Sequence, residues 1–347
     1  MNTPQRSHHL PNHLPVTARR LLLAGLLLLC AAVVWDNWGD LLSPPAASTA
    51  STAPAAPVTP ATLERGQYLV QAGNCIACHT DRGQAPLSGG RAIETPYGPV
   101  YSSNLTPDPA TGLGQWSAQD FWQALHHGRS RHGRLLAPAF PYEHTSVITR
   151  EDSDAMFAWL QSQPPVAKAQ PAHGLTWPLG TQAALAVWRS LFFSPANFQP
   201  DARQSAEWNR GAYLVQGLGH CAACHSPRNA LGATAGVSDL SGGLMPVVNW
   251  YAPSLVNDRE TGLASTSLAD IVRLLQTGQN GQASTSGPMA EVVYRSTQYL
   301  SDADARAMAV YLKALPQQAK EPPAPTAPPA QPLRAAAAAM LPPTSAR

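Results

Sequence analysis

Arg210-Gly211-Ala212-Tyr213-Leu214-Val215-Gln216-Gly217-Leu218-Gly219-His220-Cys221-Ala222-Ala223-Cys224-His225 decides how the rest of the chain is read. It ends in the Cys-x-x-Cys-His pentad that attaches a c-type haem, with Cys221 and Cys224 as thioether donors and His225 as proximal iron ligand. The phrase has an earlier copy: Arg65-Gly66-Gln67-Tyr68-Leu69-Val70-Gln71, followed by Cys75-Ile76-Ala77-Cys78-His79. A bare Cys-x-x-Cys is equally a redox dithiol or half of a zinc site. Two pentads behind matching leads predict two covalently bound haem c groups, with zinc as the alternative.

The remaining composition excludes other classes. Charged residues make up 13% of 347 and the formal net charge is +2, which leaves no electrostatic footprint for nucleic acid. The pentads use four of the five cysteines, so no disulfide framework is available. Cys30 is left over; its neighbour Leu29 is not the small residue of a lipoprotein site, and it reads as an apolar side chain.

Residues 1–20 carry Arg6, Arg19 and Arg20 and no acid, and lead into an apolar run over 21–35; Asp36 and Asp40 follow. Basic before and acidic after predicts a cytoplasmic N-terminus with everything downstream exported. The run reads as a transmembrane anchor, and by length it also suits a signal-peptide core. Residues 36–60 form a Pro/Ala/Ser-rich linker, a composition that cannot bury a core.

Two repeated units follow, with the expected boundaries 61–163 and 204–316. In the first, Leu63 to Gln71 has helical spacing ahead of the pentad, then come Gly- and Pro-rich loops, a helix over Ser117 to His127, and a last helix over Glu151 to Gln161. Helix, loops around a cofactor, helix is the plan of a cytochrome c domain, in which haem stands in for much of the apolar core. The second unit repeats the order. Leu87-Ser88-Gly89-Gly90 is answered by Leu240-Ser241-Gly242-Gly243, Thr111-Gly112-Leu113 by Thr261-Gly262-Leu263, and Met156 to Leu160 by Met308 to Leu312. The fold class is therefore mainly α: two tandem cytochrome c domains behind an N-terminal anchor or signal segment. A connector over 164–203 contains the apolar stretch Ala183 to Phe193, which packs either between the units or against another subunit. Residues 317–347 are a Pro/Ala tail.

An electron-transfer haem usually has a sixth ligand, commonly Met. In the second unit Met289, read as lying in a loop, is the candidate; Met308 belongs to an amphipathic helix and reads as core, and Met245 is a third choice. In the first unit Phe140 occupies the corresponding place and cannot bind iron. His144, close by, would give bis-His ligation. An open five-coordinate iron, His126, His127, His132 and Met156 remain as alternatives.

The phrases Thr95-Pro96-Tyr97-Gly98, Ser103-Asn104-Leu105-Thr106-Pro107-Asp108, Pro138-Ala139-Phe140-Pro141-Tyr142 and Ser205-Ala206-Glu207-Trp208-Asn209-Arg210-Gly211 resemble the periplasmic multihaem cytochrome c subunits of membrane-associated dehydrogenases. That group serves quinoprotein alcohol dehydrogenases, gluconate-type flavin dehydrogenases and molybdenum hydroxylases, and Pro-Ala-Phe-Pro-Tyr with a nearby His is most similar to the last branch. Many of its members carry a third pentad near the C-terminus, where this sequence has the Pro/Ala tail. The resemblance implies an electron-transfer subunit without catalysis of its own. It would carry electrons from a partner dehydrogenase's catalytic subunit to a quinone or another cytochrome, on the periplasmic side of the bacterial inner membrane, anchored there or released if the leader is cleaved. A dihaem peroxidase with an open first iron is the alternative.

Overall fold

The computed structural model describes residues 58–316 except 246, 258 and 262, together with ten residues scattered between 17 and 37. The tail 317–347 therefore lies outside the described residues, as does most of the expected cytoplasmic segment 1–20, anchor 21–35 and linker 36–60. Among the described residues no helix is long and apolar enough to cross a membrane.

The chain is mainly helical. Helix α1, Pro60–Ala72, starts where Thr59 accepts from the amide of Thr62 and Pro60 takes the first turn. It leads into the short turn α2, Cys75–Cys78. Helix α3, Ala118–His127, opens on a Ser117/Asp120 capping box and stops at Gly128, whose φ is 57°. After the turn α4, Tyr142–Thr145, comes the closing helix α5, Arg150–Gln161, capped by Thr149.

The second half runs in the same order. Helix α7, Ala206–Tyr213, is followed by the turn α8, Ala222–His225, then α9, Leu268–Thr277, α10, Gly287–Arg295, and α11, Asp302–Ala314. Each half also has one two-stranded antiparallel hairpin after its pentad. In the first, β1 (Ala92–Ile93) pairs with β2 (Val100–Tyr101); in the second, β3 (Gly243–Met245) pairs with β4 (Trp250–Ala252).

Glycine in each lead sets the packing. The first and closing helices of each half cross so closely that a Cβ on Gly66 would lie 2.0 Å from the Ala155 carbonyl oxygen, and one on Gly211 2.0 Å from that of Ala307. Only glycine allows that approach. Around these crossings a single apolar cluster runs through both halves, from Leu69, Val70, Met156 and Leu160 to Leu214, Leu218, Met308 and Tyr311.

The leads differ by one residue, ten positions from Arg65 to Cys75 and eleven from Arg210 to Cys221. The extra residue is absorbed by a π-helical turn over Leu214–Leu218, which continues α7 and has no counterpart in α1. Both pentads are then entered through a left-handed residue, Asn74 at φ 54° and His220 at φ 36°.

Of the two packings open to the connector, the structure shows contacts with both halves. Its helix α6, Gln182–Phe192, is fixed to the first half by Gln182, whose side chain pairs with both backbone groups of Leu135 at 2.8 and 3.1 Å. It is fixed to the second by Trp188, whose indole N–H donates to the Leu231 carbonyl at 2.9 Å. Arg189 is buried between the rings of Tyr142 and Phe193. Leu191 remains 57% exposed.

Candidate haem sites

Each pentad presents two free thiols and an imidazole on little more than one helical turn. Burial, aided by the neighbouring thiol, pushes Cys75 and Cys221 up to about 12, so both are neutral SH groups rather than thiolates. Conversion to thioethers then removes no charge from the site.

The imidazoles are oriented alike. Nδ1 of His79 lies 2.7 Å from the Ser103 carbonyl oxygen, and Nδ1 of His225 lies 2.7 Å from that of Pro253. A carbonyl only accepts, so Nδ1 carries the proton and Nε2 keeps its lone pair for a metal. Burial lowers both imidazole pKa values and favours this neutral form.

The Gly-Gly repeats bring the hairpins onto these histidines. Gly89 donates its amide to the His79 carbonyl and Gly242 to that of His225, both at 2.8 Å. A Cβ on Gly243 would stand 2.2 Å from the Ser226 carbonyl oxygen, and one on Gly89, where φ is 71°, 2.5 Å from that of Ser103. The Asn104 motif holds the fold: Asn104 donates to the Val166 carbonyl at 2.7 Å, pinning the start of the connector.

The candidates for sixth ligand fall in different surroundings. His144 sits in α4, 1% exposed, with Nδ1 3.2 Å from the Gln216 carbonyl of the second half and Nε2 without a hydrogen-bond partner. Burial above all, with the nearby charges of His220 and Arg228, pushes it down to about 3, so it is a neutral imidazole with a free lone pair. Met289 lies in the first turn of helix α10, half-buried, and not in the loop the sequence suggested. Met156 and Met308 are core residues, 2% and 3% exposed. Phe140 packs against the core. His126, one of the alternative ligands the sequence offered, is buried and stacks on Trp122 with centroids 4.4 Å apart, whereas His132 is exposed.

These features fit a covalently attached haem. Among the described residues no three His, Cys, Asp or Glu side chains are gathered as a metal-ion cluster.

No family model matches the chain. Over 304 residues, 86% of this chain and 99% of the relative, it is 33% identical to a diheme cytochrome c-type protein of Cereibacter sphaeroides. The chain belongs to the multihaem c-type cytochromes. As such it carries covalently bound haem c. This cytochrome is also 41% identical to the gluconate 2-dehydrogenase cytochrome c subunit of Pantoea cypripedii over 263 residues, 74% of its length and 60% of the relative's. Its identity to a nicotinate dehydrogenase subunit of Pseudomonas putida is 42% over 298 residues, covering 84% of this chain and 24% of that one. The chain thus spans a quarter of the nicotinate dehydrogenase subunit and little more than half of the other dehydrogenase cytochrome subunits it matches.

Sequence reasoning passed over four charged residues that the structure brings into play. Arg91 and Arg228 reach the pentads, and Asp152 and Asp304 receive the lead arginines. The signal for the last pair was present, since both stand three residues after a capping Thr149 or Ser301.

Proposed function

We propose that this cytochrome holds two haem c groups and relays single electrons from the catalytic subunit of a partner dehydrogenase toward the respiratory chain. One haem is carried by Cys75, Cys78 and His79 and the other by Cys221, Cys224 and His225, in units spanning 61–163 and 204–316. The observation that carries this reading is the matched pair of pentads, each with Nδ1 of its histidine pinned at 2.7 Å and Nε2 left for iron. Bound haem supplies reversible one-electron chemistry. The chain supplies the covalent hold, the fixed tautomer, the burial and the sixth ligands.

His144 and Met289 take the sixth positions of the first and second haem. A bis-His first haem lies at lower potential than a His/Met second haem, so electrons run from the first to the second. Pro-Ala-Phe-Pro-Tyr followed by His144, and the likeness to the nicotinate dehydrogenase subunit, favour a dehydrogenase of molybdenum-hydroxylase type. A quinone or a further cytochrome accepts the electrons. The charge pattern around 21–35 supports a place on the periplasmic side of the inner membrane, by anchor or by export.

Low-temperature EPR and visible spectroscopy of the oxidised holoprotein, with and without His144→Ala, test the assignment. Two low-spin signals, one of them lost in the variant, are expected. A high-spin signal in the unmutated protein would instead mean an open first iron. Glu143, which burial raises to about 7, and His144 would then be the acid–base pair of a peroxidase.

A further inference from the structure

The segments around the two haem sites are tied crosswise. Arg91, next to β1, donates from Nη1 to the carbonyl of Ala77 at 2.5 Å, the residue beside Cys78 in the first pentad. The same guanidinium forks onto Glu291, with Nη1 2.6 Å from one carboxylate oxygen and Nη2 3.1 Å from the other. Glu291 belongs to the second half, on α10, two residues beyond Met289, and α10 packs directly on α2.

The other half repeats the scheme. Arg228 donates to the carbonyl of Ala223, which holds the matching place in the second pentad, and to that of Gly232 at 2.7 Å. It lies within electrostatic reach of Glu143, a first-half residue beside His144. Counting from each pentad histidine, the repeat counterpart of Arg228 is Arg82, and Arg82 also acts on Glu291. In both halves, then, an arginine caps the carbonyl between the haem-bearing thiols and faces an acid from the opposite half's distal segment. A guanidinium suits this because its planar fork holds a carboxylate with two bonds while another N–H serves the carbonyl.

We propose that Arg91 and Glu291 form a strut between the two haem sites. They are positioning residues that hold the attachment turn of the first haem against the helix bearing the sixth ligand of the second. The two haems therefore respond as an interacting redox pair. This rests on Met289 being that ligand. A charge change at Arg91 acts on the near haem through the field and on the far haem through the placement of α10.

The test is a spectroelectrochemical titration of the holoprotein, following each haem separately, for the parent, Arg91→Gln, Arg91→Lys, Glu291→Gln and the double Gln variant. Removing the Arg91 charge lowers the potential of the first haem, because a nearby positive charge favours the reduced form. The strut predicts that Arg91→Gln also shifts the second haem and weakens its near-infrared Met–iron band. The double variant should depart from the sum of the singles. Arg91→Lys, which keeps the charge but loses the fork, should restore the first potential and leave the second displaced. A shift confined to the first haem, with additive single changes, would overturn the proposal. Should Arg91→Gln fail to retain haem, Arg91→Lys and Glu291→Gln read the same coupling. Met289→Leu separates the two readings: if it leaves the near-infrared band unchanged, the ligand assignment falls, whatever the Arg91 variants do.

Discussion

Tyr68 and Asp304 are separated by 236 positions in the chain, and the tyrosine hydroxyl donates to the carboxylate across 2.6 Å. The mirror contact is equally short, with the Tyr213 hydroxyl 2.6 Å from Oδ2 of Asp152. Each carboxylate also receives the lead arginine of its own half, Arg65 at 2.5 Å on Asp152 and Arg210 at 2.7 Å on Asp304. The Arg-Gly-x-Tyr phrase thus has three separate tasks. Arginine fastens the closing helix of its own half, glycine lets that helix approach, and tyrosine reaches the closing helix of the other half.

Loss of either tyrosine hydroxyl should weaken the whole molecule and not one half alone. A hydrogen bond to a charged group contributes about 1.5–3 kcal/mol. Tyr213→Phe, whose bond to Asp152 is buried, should fall within that range, and Tyr68→Phe, at a more exposed site, near its lower end. Chemical denaturation of the holoprotein measures both. An unchanged midpoint for Tyr213→Phe would show that the contact contributes nothing net.

Gly66→Ala and Gly211→Ala should each be destabilising by about 1–3 kcal/mol, the usual cost of forcing a methyl into a packed crossing. The added carbon would meet backbone carbonyl oxygens at 2.0 Å, and these cannot swing away as a flexible side chain would. Alanine favours helix by intrinsic propensity. Stabilisation in place of loss would therefore show that the helices separate easily.

Acid should loosen the join between the halves. Burial alone would raise the Asp304 pKa, but hydrogen bonds from Arg210 and Tyr68 outweigh it and hold the carboxyl below its usual range. A folded value below the unfolded one, about 3.9, contributes stability that is fully present above that pH. The contribution is lost as pH falls through the folded value. Denaturation midpoints taken from pH 6 downward should decline below about pH 4. The Asp304→Asn variant should start lower and decline less steeply over that interval.

The number of haems is open to direct weighing. The intact chain should exceed its polypeptide mass by two haems, and the Cys75→Ala/Cys78→Ala variant by one. Survival of both haems in that variant would remove the first pentad from the account.

The pentads, their doubling, the helix order and the core methionines Met156 and Met308 were legible because each depends on neighbours in sequence. Capping signals at Ser117, Ser205 and Ser301 and the glycine stops at Gly128 and Gly278 belong to the same local grammar. Met289 was placed in a loop although Ser286 and Pro288 stand where a helix starts. The acids that Tyr68, Tyr213 and Arg91 meet could not be read at all. Each lies at least 61 positions away, and no local pattern says which half supplies it.

Contacts in which i of one half meets j of the other, and j meets i, are those of an isologous two-fold dimer. Two copies of a single-haem chain with this tyrosine and this aspartate would form both bonds at once, but only at concentrations that favour association. A covalent tether through 164–203 removes that dependence. It also relieves the two halves of the need to remain identical, which is why one lead can carry a π turn and one distal segment a methionine where the other has Phe140.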